Sequence, residues 1–73
     1  MNDELVERLA AAAHDGWMAS KRDQGLTSRL AEWGEEFMVP YGQLSERAKD
    51  IDRSAVRAVL EAIDRAGYII VSA

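Results

Sequence analysis

Leu5, Val6, Leu9, Ala10, Ala13 and Trp17 fall at steps of mostly three and four, a stripe that commits the opening of the chain to one long amphipathic helix. Asn2 or Asp3 is positioned to cap it. Asp3 and Glu4 near the start and Lys21 and Arg22 near the end complement the helix dipole, and Gly25 supplies a left-handed stop just after Asp23 or Gln24. Whatever follows must fold against this helix. At 73 residues there is room for one small domain, residues 1–73, with a modest core, and the absence of cysteine removes the disulfide that often secures a core of that size. It also removes thiol nucleophiles, cysteine zinc sites and redox motifs, and it suits a reducing cytoplasm.

The rest of the chain reads as shorter pieces. "GLTSRLAEWG", Gly25 to Gly34, has no sustained period and is expected to be a loop with at most a turn of helix. In "EFMVPY" the residues Phe37–Val39 have the apolar look of a short strand, which Pro40 ends. "QLSERAKD" predicts a short intermediate helix capped by Ser45. Asp52 then caps a second main helix with an apolar stripe of Val56, Val59, Leu60 and Ile63, closed by Gly67. The β-branched tail "YIIVS" predicts a second strand, with Phe37–Val39 as its available partner. The expected fold is α+β and mostly helical: two main antiparallel helices, a short intermediate helix and two short strands, without internal repeats or linkers.

Charge narrows the function. A net charge of −4 and a pI near 4.8 lack the positive field that accompanies binding of duplex nucleic acid. The N-terminus is acidic where a signal peptide would be basic, and no apolar run reaches membrane-spanning length, so a soluble, cytoplasmic protein without a membrane partner is expected. His14 is the single histidine, which excludes a histidine-based metal cluster and leaves a catalytic triad without a nucleophile. Asp15, Glu35, Glu36, Glu46 and Asp50 are scattered and form no acid–base pair, and no Gly-rich phosphate loop occurs. Neither catalysis nor a cofactor is expected.

"HDGWMASK" carries the densest chemistry. His14 reads either as a partly buried side chain bonded to backbone or as part of a site. Trp17, on the apolar face, reads as core or as a stacking surface. Lys21 lies one turn beyond Trp17 on the same side, which places a cation beside an aromatic ring as a nucleotide requires; the plain alternative for Lys21 and Arg22 is helix-end charge. Arg29 and Trp33, four apart, repeat that combination if their segment is helical. Tyr41 is expected to pack, with its hydroxyl reaching solvent or backbone. Lys49 and Arg53 either converge on an anion at the start of the second helix or serve as ordinary first-turn neighbours of an Asp52 cap.

Taken in order, "HDGW" with Lys21 a turn later, then glycine, "MVPYGQL", "KDIDR" and a helix ending "AGYIIV" resemble the RyR domain, the repeat first described in ryanodine receptors and found free-standing in bacterial and phage proteins. The resemblance spans roughly residues 5 to 71. It departs between the first helix and "VPY", where relatives carry a longer loop and this chain has "GLTSRLAEWGEEF", keeping Arg29 and Trp33. The resemblance implies a pair of main helices with short strands, often in tandem copies related by a pseudo-two-fold. It further implies that the helix tryptophan, here Trp17, lines a pocket that accommodates adenine nucleotides between paired repeats. The resulting expectation is a non-enzymatic module that binds a nucleotide or nucleotide-derived signal through His14, Trp17, Lys21, Arg29, Trp33, Tyr41, Lys49 and Arg53, and that assembles as a homodimer around a shared groove. The alternative is a structural or protein-interaction domain with no small-molecule ligand.

Overall fold

The computed structural model describes residues 3–73. Its elements are α1 (Asp3–Asp23), a 3-10 turn (Tyr41–Gln43) and α2 (Glu46–Arg65). The helix over the first stripe forms as expected, with Asp3 inside it; Asn2, the other candidate cap, lies outside the described residues. The buried seam is shifted from the expected one. It runs Val6, Ala10, His14 and Met18, four residues apart, while Leu9 and Ala13 are exposed. A four-residue repeat drifts slowly around a helix, so a straight seam of this kind faces one neighbour along its length.

That neighbour is α2. Ser45, in extended backbone, caps it by accepting from the Ala48 N–H at 3.1 Å. The expected short helix and the second main helix are therefore one continuous helix, and Asp52 sits within it rather than capping it. Ala48, Val56 and Leu60 are buried on its inner face, with Asp52 in the same four-residue register, and Val59 points to solvent. Asp3 near Arg57 and His14 near Asp52 show that the helices run antiparallel. The core between them comprises Val6, Ala10, Val56, Leu60 and Ala48, completed by Tyr41 and Leu44 from the connection.

Both helices stop by the same device. Gly25 adopts φ +81° and Gly67 φ +90°, and in each case the next residue's N–H reaches back to the carbonyl five positions earlier, Leu26 to Lys21 and Tyr68 to Ile63. This is the left-handed glycine termination that the sequence predicts at both sites.

The α+β expectation is overturned. Among the described residues there is no strand, only an isolated antiparallel bridge between Leu30 and Glu36, and the fold is all-helical. The expected strand Phe37–Val39 has its backbone groups committed elsewhere: the Phe37 N–H donates to Arg29 O, the Met38 N–H to the Glu36 carboxylate, and Val39 O accepts from His14. Gly25–Gly34 is a loop, as expected, without a turn of helix; it makes a tight reversal in which the N–H of Gly34, at φ +88°, donates to Ala31 O. The tail beyond Tyr68 makes no backbone hydrogen bond to other described residues, so its β-branched side chains have no ladder to join; Ile69 is 83% exposed. No helix among the described residues is long and apolar enough to cross a membrane.

Candidate functional site

Two adjacent glutamates hold the long connection in place. Glu36 accepts from the Ser28 hydroxyl, the Arg29 N–H at 2.6 Å and the Met38 N–H at 3.1 Å, bonds that keep its carboxyl below the usual glutamate range. Glu35 accepts from the Ser45 N–H at 2.9 Å, the Ser45 hydroxyl at 2.6 Å and Trp33 Nε1 at 2.8 Å, and is lowered for the same reason. The first glutamate closes the loop on itself. The second fastens it to the cap of α2.

This arrangement leaves a cavity of about 340 Å³ between the two helices and the loop, lined by His14, Trp17, Arg29, Phe37, Leu44, Ala48, Ile51 and Asp52. His14 is 4% exposed. Its Nε2 lies 2.8 Å from Val39 O, and because a carbonyl only accepts, Nε2 carries the proton. Nδ1 faces Asp52 Oδ2 at 3.7 Å, beyond hydrogen-bond distance. The His14 and Trp17 rings stack at 5.6 Å, and Phe37 meets Trp17 edge-on at 6.4 Å. Half-buried Trp17 thus offers one surface to its neighbours and part of its ring to the cavity. Lys21 lies just outside, its Nζ 6.0 Å from the Trp17 ring centre. Neither Arg29 nor Lys21 enters an ion pair among the described residues, so both remain available to an anion.

The remaining residues singled out from the sequence lie elsewhere. Trp33 is held by its bond to Glu35, by the Arg47 guanidinium 3.8 Å above its ring and by edge contact with Phe37, and it does not pair with Arg29 because their segment is not helical. Tyr41 is a core residue whose hydroxyl donates to Glu7, and burial followed by that bond pushes its pKa up to about 12. Lys49 reaches Glu46 at 3.8 Å and sits over the Tyr41 ring. Arg53, 15% exposed at its side chain, is saturated by carboxylates: Asp50 at 2.8 Å, Glu46 at 2.7 Å and Glu7 at 2.9 Å. These bonds raise its pKa, and those from Tyr41 and Arg53 lower that of Glu7. Lys49 and Arg53 therefore face the chain's own acids rather than converging on an open anion site.

Five lining residues were not among the sequence candidates: Phe37, Leu44, Ala48, Ile51 and Asp52. Asp52 carried a signal, since once Ser45 is the cap, Ala48, Asp52, Val56 and Leu60 repeat every four residues and put a carboxylate on an apolar seam. Burial raises its pKa, opposed by the nearby His14. Together, the cavity presents flat aromatic surface, a partly buried acceptor and cations near its mouth, which is the chemistry of a planar polar molecule with an anionic group.

A broader groove of about 810 Å³ runs between the start of α1, the end of α2 and the tail. Its charged lining is Glu4, Glu61 and Asp64 with Arg8, an acidic balance that disfavours anions. Among the described residues, no group of three or more histidine, aspartate or glutamate side chains is placed to hold a metal ion. No curated protein and no solved structure matches the chain. A family model of the RyR domain matches residues 1–72, and with that match over nearly its whole length the chain belongs to the RyR domain family.

Proposed function

We propose that this RyR domain is a non-enzymatic binding module for a nucleotide or nucleotide-derived signalling molecule, acting in the cytoplasm as a sensor or a sequestering protein. The observation that carries the reading is the convergence of Trp17, Phe37, Arg29 and Asp52 on one cavity of about 340 Å³. That volume lies at the lower end of small-molecule sites and suits a base, with sugar and phosphate extending outward. Trp17 supplies stacking, and Arg29 and Lys21 supply charge for phosphate. The two-fold pairing common in the family motivates a homodimer in which two such cavities share a groove.

Titration of nucleoside mono- and diphosphates, followed by calorimetry and by fluorescence of a Trp33→Phe variant in which Trp17 is the sole indole, tests the reading. Saturable quenching that Trp17→Ala abolishes in the calorimetric channel is the expected result; Trp17→Ala binding as well as the parent would remove Trp17 from the site. Sedimentation velocity with and without nucleotide tests the dimer, which a monomer under all conditions would refute.

A second reading has its own observation. Tyr68, Ile69, Ile70 and Val71 are consecutive, apolar and exposed, the composition of a protein contact. If no nucleotide binds and deletion of residues 68–73 leaves the helices folded, a protein-interaction role is favoured.

A further inference from the structure

The Asp52 carboxylate lines the cavity. Asp52 is 27% exposed at its side chain and makes no hydrogen bond among the described residues. His14 Nδ1 is 3.7 Å away, beyond hydrogen-bond distance, and His14 Nε2–H is committed to Val39 O. Desolvation already disfavours the charged form. A half-buried carboxylate that accepts no hydrogen bond among the described residues is an arrangement that a ligand with donors relieves.

Bases differ on this point. On its pairing edge guanine sets two donors side by side, the ring N1–H and the exocyclic amine, a spacing that matches the two oxygens of a carboxylate. Adenine and cytosine place one amine beside a ring nitrogen lone pair, and uracil places one N–H between two carbonyls, so each would bring an acceptor against Asp52. Resting on the reading of this cavity as a nucleotide site, we propose that Asp52 selects guanine, accepting from N1–H and the exocyclic amine while Trp17 stacks on the ring and Arg29 meets the phosphate. This departs from the adenine preference that the family resemblance implies, and the departure comes from a residue on this chain's own α2 seam.

Calorimetric titration of GMP, AMP, CMP, UMP and XMP into the wild type and the isosteric Asp52→Asn variant, both checked for helical circular dichroism, tests it. The wild type is expected to bind GMP about tenfold or more tighter than AMP, the scale of a hydrogen bond to a charged group. In Asp52→Asn the amide still accepts from N1–H but presents its NH2 where guanine has an amine, so GMP should weaken about tenfold. XMP, with a carbonyl at that position, should bind the variant better than it binds the wild type. AMP binding the wild type as tightly as GMP, or a variant that keeps the full GMP preference, overturns the selection by Asp52 while leaving a nucleotide site standing. Failure of all five nucleotides to bind the wild type overturns both.

Discussion

Two polar clusters lie between the same two helices, and they are built to opposite rules. Around Arg53 every charge is answered: Glu7, Glu46 and Asp50 surround the guanidinium, and Tyr41 closes the cluster by donating to Glu7. In the second cluster, Asp52 and His14 face each other at 3.7 Å without a hydrogen bond between them, lining a cavity. A satisfied network fixes the register of two helices and has nothing left to offer a ligand. An unsatisfied one does the reverse, and it is the second that lines the cavity.

Acid gives the largest expected contrast. Glu7, Glu35 and Glu36 all have folded pKa values below the ordinary 4.5, so the stability they contribute is complete above that value and is lost as pH falls through their lowered values. Asp52, raised above 3.8, works in the opposite sense: its contribution is complete at low pH and is lost as pH rises through its folded value. The thermal midpoint should therefore be nearly flat from neutral pH to about pH 5 and then fall steeply, because three carboxylates outweigh one. Asp52→Asn should melt slightly higher than the parent at neutral pH, with the difference vanishing below the ordinary aspartate range. A midpoint that rises on acidification, or an Asp52→Asn variant less stable than the parent at neutral pH, would break the contrast.

Next comes Tyr41→Ala, which empties a buried aromatic position and should cost about 3–5 kcal/mol in chemical denaturation, enough to unfold a domain of this size. Tyr41→Phe, which keeps the ring and loses only the donation to Glu7, should cost about 1 kcal/mol. Equal losses in the two variants would show that the polar cluster, rather than the ring, secures the helices. In the other region, Arg29→Ala should weaken a nucleoside monophosphate by about 1.5–3 kcal/mol in calorimetry, with an unchanged melting midpoint, since the Arg29 side chain is exposed and enters no ion pair among the described residues. A drop in midpoint without loss of affinity would place Arg29 with the structural charges. The smallest effect belongs to Lys21→Ala, about 0.5–1 kcal/mol, because a half-buried cation 6.0 Å from the Trp17 ring is near the outer limit of cation–π contact.

The C-terminal ends of both helices were legible from residue types, and the family from motifs taken in order. Gly25 and Gly67 announce left-handed stops wherever they fall after an amphipathic run, and that signal is local. His14, Trp17 and Arg29 were legible as a chemical set, and the fold brings them to one cavity. The absence of strands among the described residues was not legible, because β-branched content describes a preference while a strand needs a second backbone to bond with; Phe37–Val39 gives its groups to Arg29, Glu36 and His14 instead. Asp52 was misread because Ser45 and Asp52 are both good caps seven residues apart, within two turns of a single helix. Only burial on the α1 side distinguishes the cap from the seam. Arg53 was misread for a related reason: its Glu7 partner lies 46 positions away, a distance that no local spacing rule covers.

If the cavity binds as proposed, the two glutamates of the connection also set the entropy of recognition. Because Glu36 closes the loop on itself and Glu35 fastens it to the cap of α2, Phe37 and Arg29 stand in position before any ligand arrives. A wall that must order on contact subtracts its lost freedom from the affinity and slows association, whereas a wall held in advance does neither. Cutting the Glu35–Ser45 tie should consequently appear as a slower on-rate and a more unfavourable binding entropy, even where the cavity's lining residues are untouched.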